Sequence, residues 1–114
     1  MLNVLLKDAM TQGYLYVEEH QAAGKAMKVM RDMHISSVFV MRYDRPVGVI
    51  TERKIIEKAV QGVDLFTSTA KDVMSSPVIQ LSVDNTVGEA CKLMKEKEFR
   101  HLAIVDDTGY LKGT

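Results

Sequence analysis

Two polar residues, Thr51 and Lys54, lie where a strand is expected to end and a helix to begin. The threonine hydroxyl and the free N–H groups of the first helical turn can hold an anion such as a phosphate. A lysine in that turn is unfavourable with the helix dipole by about 0.3 to 1 kcal/mol when exposed, and a bound phosphate would reverse this penalty. The alternative interpretation of Lys54 is a solvated lysine at the surface.

The other reactive side chains form no catalytic constellation. The three histidines lack the spacing of metal ligands (His20, His34 and His101). Cys91 lies on the expected apolar face of a helix, where a packed thiol is favoured over a nucleophile. Ser36 and Ser37 precede a strand without a glycine elbow, so we interpret them as strand-edge residues. The sequence therefore does not predict an enzyme.

The elements that position these residues occur twice. KDAM at residues 7–10 returns as KDVM at residues 71–74, and the match continues at a shift of 64 residues. Apolar residues with the i, i+3, i+4, i+7 spacing of a buried helical face follow in each copy: Ala23, Ala26, Met27 and Met30, then Val87, Ala90, Cys91 and Met94. The second helix opens with Thr86 and Glu89, which predict a capping box, whereas the first has Ala22 and Lys25 there.

A hairpin is expected after each of these helices. Apolar runs at residues 38–41 and 102–105 predict buried strands, and polar turns lead from them to return strands beginning at Pro46 and Tyr110. In the first copy a second helix is expected from Thr51 to a stop at Gly62. The predicted fold class is α+β (α/β), built from β-α-β-β-α repeats. We assign residues 1–62 to the first repeat, 63–70 to a linker and 71–114 to the second repeat.

The composition argues against several classes of function. Lys plus Arg and Asp plus Glu each total 15, so no net positive charge favours nucleic-acid binding. One cysteine excludes an intramolecular disulfide, and the apolar runs are far below membrane-spanning length. With no signal-like start, we expect a cytoplasmic protein with neither nucleic acid nor membrane as a partner.

The ordered motifs resemble the CBS domain, named after cystathionine β-synthase. They are D-x-M at residues 8–10 and 72–74, GVIT at 48–51, Glu89-Ala90 in the second helix, and RHLAIVD at 100–106. Such repeats are found in pairs, packed sheet to sheet about a pseudo-twofold axis as a Bateman module. The resemblance covers nearly the whole chain and implies that each copy is half of one module.

The resemblance also implies a ligand site. In CBS domains that bind nucleotides, the threonine and the acid of a G-x-x-T-x-x-D motif hold ribose and phosphate; here Thr51 matches and Lys54 replaces the acid. A basic pair just before the hairpin strand often faces the phosphates, which implies a pocket combining Arg100 and His101 with Thr51 and Lys54. Base contacts would come from the strands after each D-x-M, around Tyr14, Leu15, Val78 and Ile79. The alternatives are a strand-end His101 bonded to backbone and a half-buried Tyr14 ring.

The second copy contains only the beginning of its last strand. Compared with the first copy, it lacks the rest of that strand and the whole last helix. We therefore expect either pairing with another copy, as a homodimer, or a further stretch of chain, and a fragment of a longer protein is the simplest explanation.

The leading hypothesis is a regulatory module that requires no cofactor and is not an enzyme. It would bind AMP, ADP, ATP or S-adenosylmethionine between the repeats and signal to an attached or separate effector. The alternative is a ligand-free dimerisation module that assembles a larger protein.

Overall fold

The chain forms a mixed α+β fold with two three-stranded sheets, which confirms the predicted fold class. The computed structural model describes residues 3–10, 15–76, 78–97 and 102–114. In chain order the elements are α1 (Leu6–Ala9), β1 (Tyr16–Glu18), α2 (Ala23–Met33), β2 (Ser37–Arg42), β3 (Arg45–Thr51), α3 (Glu52–Val60), α4 (Ala70–Val73), β4 (Gln80–Ser82), α5 (Val87–Lys97), β5 (Ala103–Val105) and β6 (Leu111–Gly113). None of the helices in these ranges is long and apolar enough to cross a membrane.

The chain divides into two compact units, one continuous in sequence and one made of two separate segments. The central unit comprises residues 15–78, and the terminal unit combines residues 1–14 with residues 79–114. Each compact unit therefore contains most of one repeat together with the opening segment of the other.

The central unit is built on the sheet β1-β2-β3. Strand β1 runs parallel to β2, and β2 is antiparallel to β3. Its core consists of apolar residues from all three strands and from α2 and α4: Val17, Ala23, Ala26, Met30, Val38, Val40, Ile50, Ala70 and Val73. The helical spacing noted for α2 thus identifies buried residues, although Met27 is only half-buried.

The terminal unit repeats this arrangement on a smaller scale. Strand β4 runs parallel to β5, which is antiparallel to the short return strand β6. Leu6, Ala90, Leu102 and Ile104 form its core. Cys91 is exposed on α5, so the expectation of a packed thiol is wrong.

The two hairpins differ by one residue at the turn. Val40 pairs with Gly48 in the first hairpin, and Ile104 pairs with Gly113 in the second. The shorter turn places Tyr43 and Asp44 at positive φ (51° and 64°), whereas the longer one uses Gly109 at φ 86°. A two-residue turn needs left-handed conformations at both positions, and a longer turn can confine that need to a single glycine.

The opening segment of each repeat is hydrogen-bonded into the other repeat's unit. In the terminal unit the N–H of Leu6 donates to the carbonyl of Asn85 at 2.7 Å; in the central unit Ala70 donates to Gln21 at 2.7 Å. Two further bonds recur at the same 64-residue shift, Lys7 to Val83 and Lys71 to Glu19, each at 3.0 Å. The two KDxM segments therefore make equivalent backbone contacts in the two units.

Gly48 permits the close approach of the exchanged segment to β3. The neighbouring Val49 exchanges two backbone hydrogen bonds with Ser75, at 2.8 and 3.0 Å. A β-carbon on Gly48 would clash with the sulfur of Met74 and would lie 2.9 Å from the carbonyl oxygen of Ser75. Only glycine fits here without a shift of the backbone.

Two capping boxes fix the starts of helices. The box predicted at α5 is confirmed: Glu89 accepts from the N–H of Thr86 at 3.0 Å, and Thr86 Oγ1 accepts from the N–H of Glu89 at 3.2 Å. A second box, which the sequence analysis missed, joins Thr69 and Asp72 at α4. The aspartate of the second D-x-M motif is therefore a capping residue. As expected, Ala22 gives α2 no side-chain cap.

We expect Gly48→Ala to destabilise the protein by about 1 to 3 kcal/mol, because the added methyl group overpacks the contact with Ser75. Thermal and urea unfolding would measure the loss. Gly24→Ala is the matched control: nothing lies within 4 Å of the β-carbon position at Gly24 in α2. The control substitution should stabilise the helix by up to about 1 kcal/mol. Equal effects of the two substitutions would contradict the packing role of Gly48.

We expect the α5 capping box to make stability depend on acid pH. Hydrogen bonds from the backbone N–H of Thr86 and from the Asn85 and Thr86 side chains lower the pKa of Glu89 from its ordinary 4.5. This stabilisation is present above pH 4.5 and is lost as the pH falls through the lowered pKa. The melting temperatures of wild type and Glu89→Gln should therefore converge on acidification, while Thr86→Ser, which keeps the hydroxyl, should follow wild type. A pH-independent difference would refute this role for the carboxylate.

Candidate ligand-binding site

Thr51 joins a strand to a helix, as the sequence predicts. It is the last residue of β3 and the N-cap of α3, and its Oγ1 accepts a hydrogen bond from the N–H of Lys54 at 3.1 Å. The side chain thereby fixes the start of the helix. Because the hydroxyl acts as the acceptor in this bond, its hydrogen is left to donate to a ligand.

Ser36 and Ser37 lie beside Thr51, a neighbourhood that the sequence analysis did not identify. Ser37 is the register partner of Thr51 in the antiparallel pair, and the carbonyl of Ser36 accepts from the N–H of Glu52 at 3.0 Å. Two N–H groups of the first turn of α3, those of Glu52 and Lys54, therefore already have acceptors. The expectation that these two groups are free to hold an anion is wrong, so the side chains of Thr51 and Lys54 are the better candidate donors.

Lys54 is partly buried and loosely paired. Its side chain is 29% exposed, and its Nζ lies 3.9 Å from a carboxylate oxygen of Glu57. Arg53 Nε lies 3.4 Å from the other oxygen of the same carboxylate. Glu57 would thus keep one cationic partner if the lysine turned towards an anionic ligand, so the cost of releasing the lysine is small.

Leu15 belongs to the same end of the central sheet as Thr51. Its carbonyl accepts from the N–H of Phe39 at 3.2 Å, immediately before β1 begins at Tyr16. Because β1 is parallel to β2 and β3 is antiparallel to it, the start of β1 and the end of β3 lie at one edge. The structure therefore brings Leu15, Ser37 and Thr51 to a common edge, which we call the Thr51 edge.

The remaining base-contact residues have different surroundings. Val78 belongs to the central unit and is only 8% exposed, which leaves its side chain little surface for a ligand. Ile79 belongs to the terminal unit, where its carbonyl accepts from Ala103 at 3.0 Å and its side chain packs on the core. Tyr14, Arg100 and His101 lie outside the described residues, so their part in the site stays a prediction.

The strongest ion pair of the central unit lies at the opposite end of β2. Arg42 donates to both carboxylate oxygens of Glu19, at 2.6 and 2.9 Å, and this bonding lowers the pKa of Glu19. The carbonyl of Met41 accepts from the N–H of Glu19 nearby, so the pair ties the end of β1 to β2. We assign it a structural role. No group of three or more His, Cys, Asp or Glu side chains among the described residues could hold a metal ion.

Comparison with known proteins gives a family match for the sequence and a fold match for the structure. Residues 6–61 and 70–114 match the family model of the CBS domain. An uncharacterized protein of Methanopyrus kandleri is 46% identical over 86 residues, which cover 74% of this chain and 44% of that relative. The chain spans 26% to 63% of the length of three curated archaeal relatives.

Two solved structures show the same architecture over almost the entire chain. CBSX2 of Arabidopsis thaliana, in complex with AMP, superposes with a TM-score of 0.81 at 19% identity, covering 96% of this chain and 87% of that one. The CBS domain pair of protein MJ0100, in complex with 5'-methylthioadenosine and S-adenosyl-L-methionine, gives 0.83 at 21% identity, covering 96% and 90%. At these identities the likeness establishes the fold. Since both matched segments also carry the family's motifs, this chain belongs to the CBS domain family.

Proposed function

We propose that this chain is a regulatory module that binds an adenine nucleotide or a related adenosyl ligand. The observation that carries the proposal is the Thr51 edge, where the Thr51 hydroxyl and the exposed Leu15 side chain lie at the same end of one sheet, and Lys54 belongs to the first turn of the helix that Thr51 caps. Apolar side chains that accompany a few fixed polar groups are typical of small-molecule sites.

Phosphate-bearing adenine nucleotides are the first ligands to test. The two solved structures described above contain AMP, 5'-methylthioadenosine and S-adenosyl-L-methionine, which share an adenosyl group. In this chain Lys54 offers a positive charge where related sites have an acid for the ribose hydroxyls. We propose that Arg100 and His101 supply further phosphate contacts and that Tyr14 contributes to the base contacts.

A regulatory role requires that ligand binding changes the module. The ligand must bind two arrangements with different affinity, because otherwise nothing is transmitted. Strand β3 offers a route for such a change, since it ends at Thr51 and also carries the Val49–Ser75 bridge to the exchanged segment. The relatives are longer than this chain, and we propose an attached effector as the receiver of the signal.

The alternative function is assembly without a ligand, in which the chain is a homodimerisation module. A specific observation favours it: α3 contains no buried residue and exposes the apolar residues Ile56 and Val60. Calorimetric titration distinguishes the two functions, because a folded dimer that binds no adenosyl compound would support assembly alone.

We expect Thr51→Asp to weaken AMP and ATP binding by at least about tenfold, because it removes a hydrogen-bond donor and places a negative charge beside the phosphate. Aspartate is a good N-cap, so the helix start should be retained while the donor hydrogen is lost. Thr51→Ser keeps both functions and is the matched control. Isothermal titration calorimetry gives the affinities, and melting temperatures verify the fold. Unchanged affinity in the aspartate variant would exclude the Thr51 edge as the phosphate site.

We expect Lys54→Asp to weaken ATP binding more than S-adenosylmethionine binding, because the substitution replaces a phosphate-attracting charge with a repelling one. Lys28→Asp makes the same change of charge on an exposed face of α2 and should leave both affinities unchanged. If nucleoside affinity rises instead, the new carboxylate is accepting the ribose hydroxyls, and Lys54 is not a phosphate contact.

A further inference from the structure

The two opening segments occupy equivalent positions in their units, but their helices start differently. We call residues 4–10 the first opening segment and residues 68–74, which follow at the 64-residue shift, the second opening segment. The helix of the second segment starts with the capping box of Thr69 and Asp72. The helix of the first segment starts after Leu5, whose apolar side chain can neither accept nor donate a hydrogen bond. Leu5 therefore cannot form the capping box that starts α4.

Asp8 already lies where a capping box needs its acid. It is the third residue of α1, as Asp72 is the third residue of α4. The backbone before both helices is extended, with φ −74° and ψ 146° at Leu5 and φ −90° and ψ 166° at Thr69. In α4 the carboxylate of Asp72 accepts from the N–H of Thr69 at 3.0 Å. The side chain at the N-cap is therefore what distinguishes the two helix starts.

The backbone hydrogen bonds that hold the two segments are matched. Three N–H donors occupy equivalent positions in the two units: Leu6, Lys7 and Val87 for the first segment, and Ala70, Lys71 and Ala23 for the second. Their bond lengths agree pair by pair, at 2.7, 3.0 and 2.8 Å. Because these bonds are equal, side-chain interactions decide which segment is held more firmly.

The turn before α4 adds a second constraint on the second opening segment. The side chain of Asp64 accepts from the N–H of Phe66 at 2.9 Å, and its carbonyl accepts from the N–H and the hydroxyl of Ser68 at 3.0 and 2.7 Å. On the first segment, Lys7 and Asp84 form an ion pair of 3.9 Å with side chains 51% and 64% exposed. An ion pair of this length and exposure contributes little to stability.

We propose that the first opening segment is a releasable strap, which detaches from the terminal unit in a local opening more readily than the second opening segment detaches from the central unit. Release breaks the three matched hydrogen bonds and withdraws Leu6 from the core, where it packs with Ala90, Leu102 and Ile104. Elements that move in regulation are drawn from such regions of low local stability. The inference concerns the free protein and does not depend on the proposed ligand.

Native-state hydrogen exchange of the full chain measures both openings in one experiment. After correction for intrinsic rates, the three donors of the first segment should exchange at least about fivefold faster than the three donors of the second, which is the effect of one cap. Nuclear magnetic resonance resolves the individual amides. Equal protection of the two sets would overturn the proposal.

Substitutions at the N-cap test whether the capping difference is the cause. Leu5→Thr gives Asp8 the hydroxyl partner that Asp72 has, and Leu5→Val, which has the shape of threonine without the hydroxyl, is the matched control. Exchange at Leu6 and Lys7 should be about fivefold slower in the threonine variant than in the valine variant. Adding Asp8→Ala to both variants should abolish this difference, because the box needs both side chains.

The reverse change in α4 completes the test. Thr69→Val removes the hydroxyl from the existing box, so it should speed exchange at Ala70 and Lys71 by about fivefold and leave Leu6 unchanged. Melting temperatures verify that each variant folds. Identical exchange in the Leu5→Thr and Leu5→Val variants, or a difference between them that survives Asp8→Ala, would show that capping does not control the strap.

Discussion

The reciprocal exchange of opening segments completes the hydrophobic core of each unit. Backbone hydrogen bonds join α1 to the terminal unit and α4 to the central unit at equivalent positions 64 residues apart. Ala70 and Val73 of α4 are fully buried in the central core, and Leu6 of α1 is buried in the terminal core. Each core therefore contains residues from both repeats.

The same exchange shapes the candidate ligand site. After α4 the chain pairs Ser75 with Val49, two residues before Thr51, and the absence of a side chain at Gly48 allows that approach. Strand β3 thus connects the N-cap of α3 to the segment that leads through Val78 towards the terminal unit. The candidate site and the exchanged segment therefore share one strand.

The charged side chains described in this structure lie at the surface and bond mainly to groups close to them in the chain. No polar or charged residue among those described is buried, and the lowered pKa values belong to carboxylates that accept hydrogen bonds in caps, turns and one exposed ion pair. The hydrophobic cores hold the fold, while charged side chains fix helix starts and turns. The absence of buried charge also makes the partly buried Lys54 notable, because it is a cation beside the Thr51 cap.

Features that depend on neighbours along the chain could be predicted from the amino-acid sequence alone. The repeat, the buried face of α2, both hairpins, the Thr51 cap and the Thr86–Glu89 box all follow from local spacing, and the structure contains each of them. The Thr69–Asp72 box has the same local pattern and was missed although the signal is present.

Which surfaces meet could be read only from the folded chain. The exchange of α1 and α4 pairs residues distant along the chain, and no periodicity specifies which repeat receives each segment. The strand register places Ser36 beside the start of α3. Its carbonyl there accepts a hydrogen bond from the N–H of Glu52, a group that we expected to be free. The exposure of Cys91, Ile56 and Val60 was equally beyond sequence reasoning, because an apolar helical position is buried only where another element covers it.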